Sequence, residues 1–166
     1  KETRQILERE KFIRHYGSLY ENSPHIAIEI YELHSLDTLS PLERLKLMKD
    51  YVNNMDKELK MKLILEHPEL GIKKGQPKNL TSYSKQEQKR AGLDNLSESE
   101  FNLLRSLNKE YMNKFKFPFI IAVSGLTKEK VFRNIRDRLK NSVEIEFNTA
   151  INEIHKIAEI RLQNLY

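Results

Sequence analysis

The chain has 166 residues, of which 32% are charged and 39% hydrophobic, a balance typical of folded domains rather than disordered chains. Because it contains no cysteine, a disulfide framework, a thiolate nucleophile and a cysteine-based zinc site are all excluded. The longest uncharged run, Phe117 to Thr127, is far shorter than the ~20 residues of a membrane-spanning helix. The N-terminus lacks a signal-peptide pattern and the C-terminus, LQNLY, lacks a peroxisomal signal. We therefore expect a cytoplasmic protein with one domain over residues 1–166.

Helices are predicted along the whole chain from the spacing of apolar residues and from start and stop signals. Before residue 67 the signals are Gly17 after a helical pattern over residues 1–16, Ser23-Pro24, Ser40-Pro41 and Asp56. Beyond it they are the capping boxes Ser84 to Glu87 and Ser97 to Glu100, the break at Phe117-Pro118, and the caps Thr127 and Ser142. No segment alternates apolar and polar residues over the length of a strand. The predicted fold is all-α, a single-domain helical bundle of about seven to nine helices.

The loop between two of these helices carries the most distinctive candidate site. Since the residue before a proline is pushed out of the α region, His67 should lie just past the preceding helix, next to Pro68. At that negative pole an imidazolium is favoured, whereas Glu87, in the first turn of the next helix, is favoured as a carboxylate. This arrangement suits acid–base chemistry. The residues alone favour a different role for Glu87, in which it caps the helix that begins at Ser84.

A short apolar run, Phe119 to Val123, lies between Pro118 and Gly125 and is too short for an ordinary helix. Its side chains should be buried, so its backbone N–H and C=O groups need partners. A bound polar ligand could supply them. The residues alone favour partners within the protein, because most buried backbone groups are paired there.

Arg161 stands on one helical stripe with Phe147 and Ile154, so it should point toward the core. A long arginine stem can extend its guanidinium to solvent, and this or another structural role is the favoured interpretation. The alternative is an anionic partner, either a protein carboxylate or the carboxylate of a bound substrate.

The net charge of +5 raises the question of an anionic partner. The most basic segment, residues 128–140, is interrupted by Glu129 and Asp137 and has no interleaved aromatic residues for base stacking. We therefore expect a solvated helix face and no nucleic-acid binding. A mild positive field also suits a small anionic substrate. No two histidines stand at i, i+4, so no metal site is predicted.

Five ordered blocks of the sequence resemble one known family. They are YGSLYENSPHIA from Tyr16, HPELG from His67, SKQEQKRAGL from Ser84, LNKEYMNKFKFPFIIAVSG from Leu107 and AINEIHKIAEIRL from Ala150. Together they resemble 2-oxo-4-hydroxy-4-carboxy-5-ureidoimidazoline (OHCU) decarboxylase, and the likeness extends over nearly the whole chain, from about Phe12 to Leu165. The family performs the last step of urate degradation to (S)-allantoin, a decarboxylation followed by stereospecific protonation.

The resemblance implies an all-helical, cofactor-free carboxy-lyase that is a homodimer and is functionally coupled to uricase and hydroxyisourate hydrolase. It implies that His67 is the catalytic acid or base and that Glu87 is its partner. Arg161 would lie near the substrate carboxylate. The other implied substrate-binding residues are Pro68, Ser84, Lys85, Gln86, Gln88, Phe119, Ile120, Ile121, Ala122 and Val123.

Two departures from the family pattern are His25, where the family usually has Trp, and Ser124, where it commonly has a basic residue. Neither removes a predicted catalytic group. Two other functions stay open at this point. One is a helical interaction module that binds an acidic partner through residues 128–140, and the other is a related lyase that acts on a different ureido or imidazole acid.

Overall fold

A computed structural model describes residues 2–71 and 81–166. That part of the chain contains eight α-helices and no strand, so the all-α prediction is confirmed. The helices are α1 (Glu2–Tyr16), α2 (His25–Leu33), α3 (Pro41–Asn53), α4 (Lys57–Leu65), α5 (Ser82–Arg90), α6 (Glu98–Phe115), α7 (Lys128–Arg138) and α8 (Val143–Gln163). None of these described helices is both long enough and apolar enough to cross a membrane.

Most of the predicted helix starts are confirmed, because side-chain caps are local signals. The caps at Ser40 (α3), Asp56 (α4), Ser97 (α6), Thr127 (α7) and Ser142 (α8) each accept a hydrogen bond from the backbone N–H three residues later. The prediction at Ser23-Pro24 was wrong. Helix α2 begins at His25 without a side-chain cap, since the hydroxyl of Ser23 instead donates to the backbone oxygen of Glu21 at 2.9 Å.

The chain divides into two compact units. The first unit consists of the residues up to Glu66 together with His155–Tyr166, and the second consists of His67–Ile154. The core of the first unit includes Tyr16, Tyr20, Ile26, Ile30, Leu45, Met48, Val52 and Ala158. The core of the second includes Leu93, Leu104, Tyr111, Phe115, Phe117, Phe119, Val131 and Ile135.

Aromatic side chains form the centre of the second unit. The ring of Tyr111 lies 4.4 Å from that of Phe115, and it meets Phe117 and Phe119 edge-on at 5.9 and 5.3 Å. Edge-on and tilted contacts of this kind add to the stabilisation that burial of the rings already provides. Because Phe119 opens the apolar run, this cluster fixes one end of the run against helix α6.

Candidate active site

His67 lies just past helix α4, as its position before Pro68 predicted. The helix ends at Leu65, Glu66 is its C-cap, and the side chain of His67 is 7% exposed. The Nε2 atom of its imidazole is buried. A buried imidazole just past a helix end is a candidate for proton transfer, because a histidine can both accept and donate a proton near neutral pH.

Two side-chain amides hold the segment that follows His67. The Oε1 atom of Gln88 accepts a hydrogen bond from the backbone N–H of Gly71 at 2.9 Å. The Nδ2 atom of Asn108 donates to the backbone oxygen of Leu70 at 3.0 Å. Gly71 has a backbone φ of 94°, a value that residues other than glycine rarely adopt. A Cβ there would also lie 2.9 Å from a methyl group of Leu104. Helices α5 and α6 therefore position Leu70 and Gly71, three and four residues after His67.

The predicted start of α5 was wrong, and the correction changes the interpretation of Glu87. The helix begins at Ser82, and its cap is Thr81, whose hydroxyl accepts from the N–H of Ser84 at 3.2 Å. Thr81 offers the same kind of hydroxyl as Ser84, three residues earlier. Glu87 therefore lies in the second turn and is not the capping carboxylate. The favourable interaction between the Glu87 carboxylate and the helix dipole is therefore smaller than predicted, since this interaction weakens beyond the first turn.

Helix α5 divides the predicted substrate-binding residues between two faces. Ser84 and Gln88, four residues apart, are 5% and 3% exposed, as expected for neighbours on one buried face. Glu87 is half-buried, whereas Lys85 and Gln86 are exposed. The buried face is the one that contacts the segment after His67, through Gln88. Contact of Lys85 and Gln86 with a substrate remains a prediction.

The apolar run is buried and irregular, and the protein itself pairs several of its backbone groups. The backbone oxygen of Ile120 accepts from Nη1 of Arg138 at 2.6 Å. The backbone N–H of Ala122 donates to Oε1 of Glu153 at 3.1 Å. These contacts agree with the interpretation that the residues alone favoured, partners within the protein. A role for the run in substrate binding stays a prediction.

Arg138 belongs to a buried polar network that the sequence analysis missed. Its Nε lies 2.7 Å from Oε1 of Glu146, which also accepts from the hydroxyl of Tyr111 at 2.6 Å. Burial, and then the hydrogen bond to Glu146, raise the pKa of Tyr111 well above its usual value. The guanidinium also lies 4.4 Å from the ring centre of Phe119. A signal was present, since Arg138 falls three residues after the buried Ile135 on the apolar stripe of α7.

The network also bears on the interaction-module alternative. That alternative relied on residues 128–140 as a basic docking face. Arg138 is 8% exposed and forms an ion pair with Glu146, so it cannot serve as a surface contact.

The predicted orientation of Arg161 is confirmed, and extension of its guanidinium to solvent is excluded. The residue is 1% exposed. Its Nη2 forms an ion pair with Oε2 of Glu21 at 2.9 Å, and its Nη1 donates to the backbone oxygen of Ser18 at 3.2 Å. Of the two anionic partners considered, the protein carboxylate is present. Contact with a substrate carboxylate remains a prediction.

No group of three or more His, Asp or Glu residues is arranged to hold a metal ion in the described ranges. Of the residues predicted for the site, the second unit contains the ionisable side chains of His67, Lys85 and Glu87 and the neutral polar side chains of Ser84, Gln86 and Gln88. This set can transfer protons and form neutral hydrogen bonds to a ligand.

A sequence profile of the family described as OHCU decarboxylase matches residues 5–163. The chain belongs to the OHCU decarboxylase family. The family resemblance found in the five sequence blocks is therefore confirmed.

Among individual OHCU decarboxylases, that of Haloferax volcanii is 32% identical over 94% of this chain and 89% of its own length. A uric acid degradation bifunctional protein of Bacillus sp. strain TB-90 is 37% identical over 94% of this chain. The match spans only 30% of that bifunctional protein, and 29% of the corresponding protein of Bacillus subtilis strain 168.

Two solved structures have a fold similar to that of this chain. A crystal structure of (S)-allantoin synthase has a TM-score of 0.73 and 26% identity, over 94% of this chain and 50% of that chain. A crystal structure of OHCU decarboxylase in the presence of (S)-allantoin has a TM-score of 0.66 and 24% identity, over 85% and 89% of the two chains. The helical architecture is that of OHCU decarboxylases.

In this OHCU decarboxylase family member, the predicted site residues are distributed unequally between the two units. His67, Glu87 and the other predicted residues of helix α5 and of the apolar run lie in the second unit, whereas Arg161 lies in the first. Within the second unit, the contact from Gln88 to Gly71 links helix α5 directly to the segment after His67.

Proposed function

We propose that this chain decarboxylates 2-oxo-4-hydroxy-4-carboxy-5-ureidoimidazoline to (S)-allantoin, with stereospecific protonation, as the last step of urate degradation. The observation that carries the proposal is that His67 of this chain is buried. The segment after it is held by hydrogen bonds from Gln88 of α5 and Asn108 of α6. Membership of the OHCU decarboxylase family supports the substrate.

The chemistry of the substrate defines what the protein must supply. One ring carbon carries both a hydroxyl and a carboxylate, next to a C=N bond. When the bond to the carboxylate breaks and carbon dioxide leaves, its electron pair moves toward the adjacent C=N bond, so the substrate provides its own electron sink. The nitrogen of the former C=N bond takes up a proton. The hydroxyl then gives up its proton to become a carbonyl, and the neighbouring carbon takes up a proton on one face. The protein must hold the ring in one orientation and manage these proton transfers.

His67 is the proposed acid or base for these protons. A histidine is suited to the task because its unperturbed pKa lies close to neutral pH, so it can both accept and donate a proton there. Glu87 is the proposed partner of His67, and its position in the second turn of α5 leaves the capping role to Thr81. A protein group that delivers the proton from a fixed position would explain the formation of a single enantiomer.

The remaining predicted residues have positioning roles in this proposal. Ser84, Gln88 and backbone groups of Phe119 to Val123 orient the ring, and Arg161 is the proposed ligand of the substrate carboxylate. Correct positioning alone can be worth about 100-fold in rate. Removing a positioning residue should therefore lower the rate without abolishing it.

We also propose that the chain acts in the cytoplasm as a homodimer, in functional coupling with uricase and hydroxyisourate hydrolase. Two uric acid degradation bifunctional proteins from bacilli each contain a part that is similar to this chain. This similarity supports such coupling. Sedimentation equilibrium tests the dimer, since a monomer mass at micromolar concentration would contradict it.

The reaction is tested by forming the unstable substrate in situ from urate with uricase and hydroxyisourate hydrolase. Circular dichroism then follows the appearance of optically active allantoin. We expect rapid formation of the S enantiomer with the chain present and slow formation of racemic allantoin without it. A folded chain that neither accelerates the reaction nor produces optical activity would contradict the proposal.

A further inference from the structure

Asn108 is a buried polar residue on an otherwise apolar stripe of helix α6. It is 4% exposed, and it lies four residues after Leu104 and three before Tyr111, both of which are also buried. An asparagine in such a position loses its contact with water and must be paired within the protein or by a ligand. No motif in the sequence gives Asn108 a function.

The two ends of the Asn108 side chain differ in their pairing. Its Nδ2 donates to the backbone oxygen of Leu70 at 3.0 Å. Its Oδ1 is buried and has no hydrogen-bond partner in the described part of the chain. The bond to Leu70 also fixes which end is which, because a flipped amide would place two acceptors against each other.

A buried acceptor without a partner destabilises a folded protein, because it has lost its hydrogen bonds to water. Most native structures contain few such atoms, and each one calls for an explanation such as a functional role. Here the atom sits on an amide whose other end holds Leu70, three residues after His67. The unpaired oxygen therefore belongs to a side chain that is hydrogen-bonded to the segment carrying the proposed catalytic group.

The chemistry of the atom limits what it can bind. A neutral amide oxygen accepts N–H or O–H donors and does not attract a carboxylate. The ureidoimidazoline carries N–H groups on its ureido arm and on its ring. We propose that Asn108 is a further substrate-binding residue, whose Oδ1 accepts a hydrogen bond from an N–H group of the substrate. This inference rests on the proposed function and adds one recognition contact to it.

The contact is tested by a thermodynamic cycle between the residue and single N–H groups of a ligand. The probes are (S)-allantoin, the stable product, and its derivatives methylated at one nitrogen each. Isothermal titration calorimetry gives the Kd of each probe for the wild type and for Asn108→Leu, which is close in shape and removes the acceptor. We expect methylation of one particular nitrogen to weaken wild-type binding about tenfold, as for the loss of one hydrogen bond. The same methylation should change the Kd of Asn108→Leu less than twofold.

The matched control is Asn113→Leu, the same substitution at an exposed position of the same helix. It should keep the wild-type response to methylation. If Asn108→Leu does not fold, as judged by circular dichroism, Asn108→Ala takes its place in the cycle. An active wild type in which no methylation is coupled to residue 108 would overturn this inference and leave the proposed function standing. A wild type that neither decarboxylates the substrate nor binds allantoin would overturn both.

Discussion

The side-chain oxygen of Gln88 lies 2.9 Å from the backbone nitrogen of Gly71 and accepts its hydrogen bond in the protein interior. Through this contact helix α5 holds the segment that begins with His67. Gln88 therefore has a defined structural partner, whatever it also contributes to substrate binding.

Replacing Gln88 with Leu should lower kcat about 100-fold, because a small displacement of a catalytic group can cost that much. It should also lower the free energy of unfolding by about 1–3 kcal/mol, since the N–H of Gly71 loses its partner. Steady-state kinetics and urea unfolding measure the two effects. The control is Gln163→Leu, which makes the same change at an exposed position of α8. An unchanged kcat for Gln88→Leu would contradict the role of this contact.

Thr81 is the N-cap of α5 and should stabilise the helix, whereas Glu87, in its second turn, is a proposed catalytic residue. Thr81→Ala should lower the free energy of unfolding by about 1 kcal/mol, as is typical for the loss of an N-cap, and should retain most of the activity. Glu87→Gln keeps the side-chain shape and should lower kcat about 100-fold, as expected when acid–base catalysis is impaired. Thermal unfolding and the coupled urate assay would be run on both variants. Full activity of Glu87→Gln would exclude a catalytic role for that carboxylate.

Arg161 and Glu21 are 1% and 2% exposed and form an ion pair. Arg161→Met should destabilise the protein by about 3–5 kcal/mol, because it leaves a buried carboxylate without its cation. The double variant Glu21→Gln/Arg161→Met should recover much of that stability. If Arg161 also binds the substrate carboxylate, the recovered double variant should still have a raised KM. Recovery of both stability and KM would mean that the role of Arg161 is structural only.

His155 provides a prediction about pH that is independent of catalysis. Its Nδ1 lies 2.9 Å from the hydroxyl of Tyr20, and its Nε2 lies 2.9 Å from Oδ1 of Asn53. Burial, and then the positive charges of Lys49 and Lys60, lower the pKa of His155 to about 4, although Asp50 opposes the shift.

Because the folded pKa of His155 is below the unfolded value, the unfolded state takes up the proton first as the pH falls. The contribution of His155 to stability is therefore complete above pH ~6.5 and is lost progressively between about 6.5 and 4. Urea unfolding at several pH values measures this loss. His155→Gln should be less stable at neutral pH and should show a weaker pH dependence in this range. Equal pH dependence in the two proteins would contradict the assignment.

The sequence predicted the helices well because their signals are local. Ser97 and Glu100 lie within one turn of each other, so a capping box can be recognised without knowing the fold. The same local reasoning failed at α5, where Thr81 and Ser84 both offer a hydroxyl at helix-start spacing. Only the observed backbone, which is extended at Thr81, decides between them.

The partners of the buried arginines could not be predicted from the sequence, because they are distant along the chain or lie in another helix. Arg161 pairs with Glu21, 140 residues away. Arg138 pairs with Glu146 and with the backbone of Ile120, and this depends on how α7 and α8 pack. Periodicity showed that Arg161 points inward, but it could not show what it meets there. Asn108 was missed for the same reason, since its contact with Leu70 spans 38 residues.

In the proposed mechanism, His67 delivers or removes a proton during a stereospecific decarboxylation. The most direct test compares the wild type, His67→Ala and the exposed-position control His34→Ala in the circular dichroism assay with substrate formed in situ. We predict that His67→Ala loses roughly 100- to 10,000-fold in rate and yields allantoin without optical activity, whereas His34→Ala behaves as the wild type. Formation of (S)-allantoin at the wild-type rate by folded His67→Ala would contradict the account.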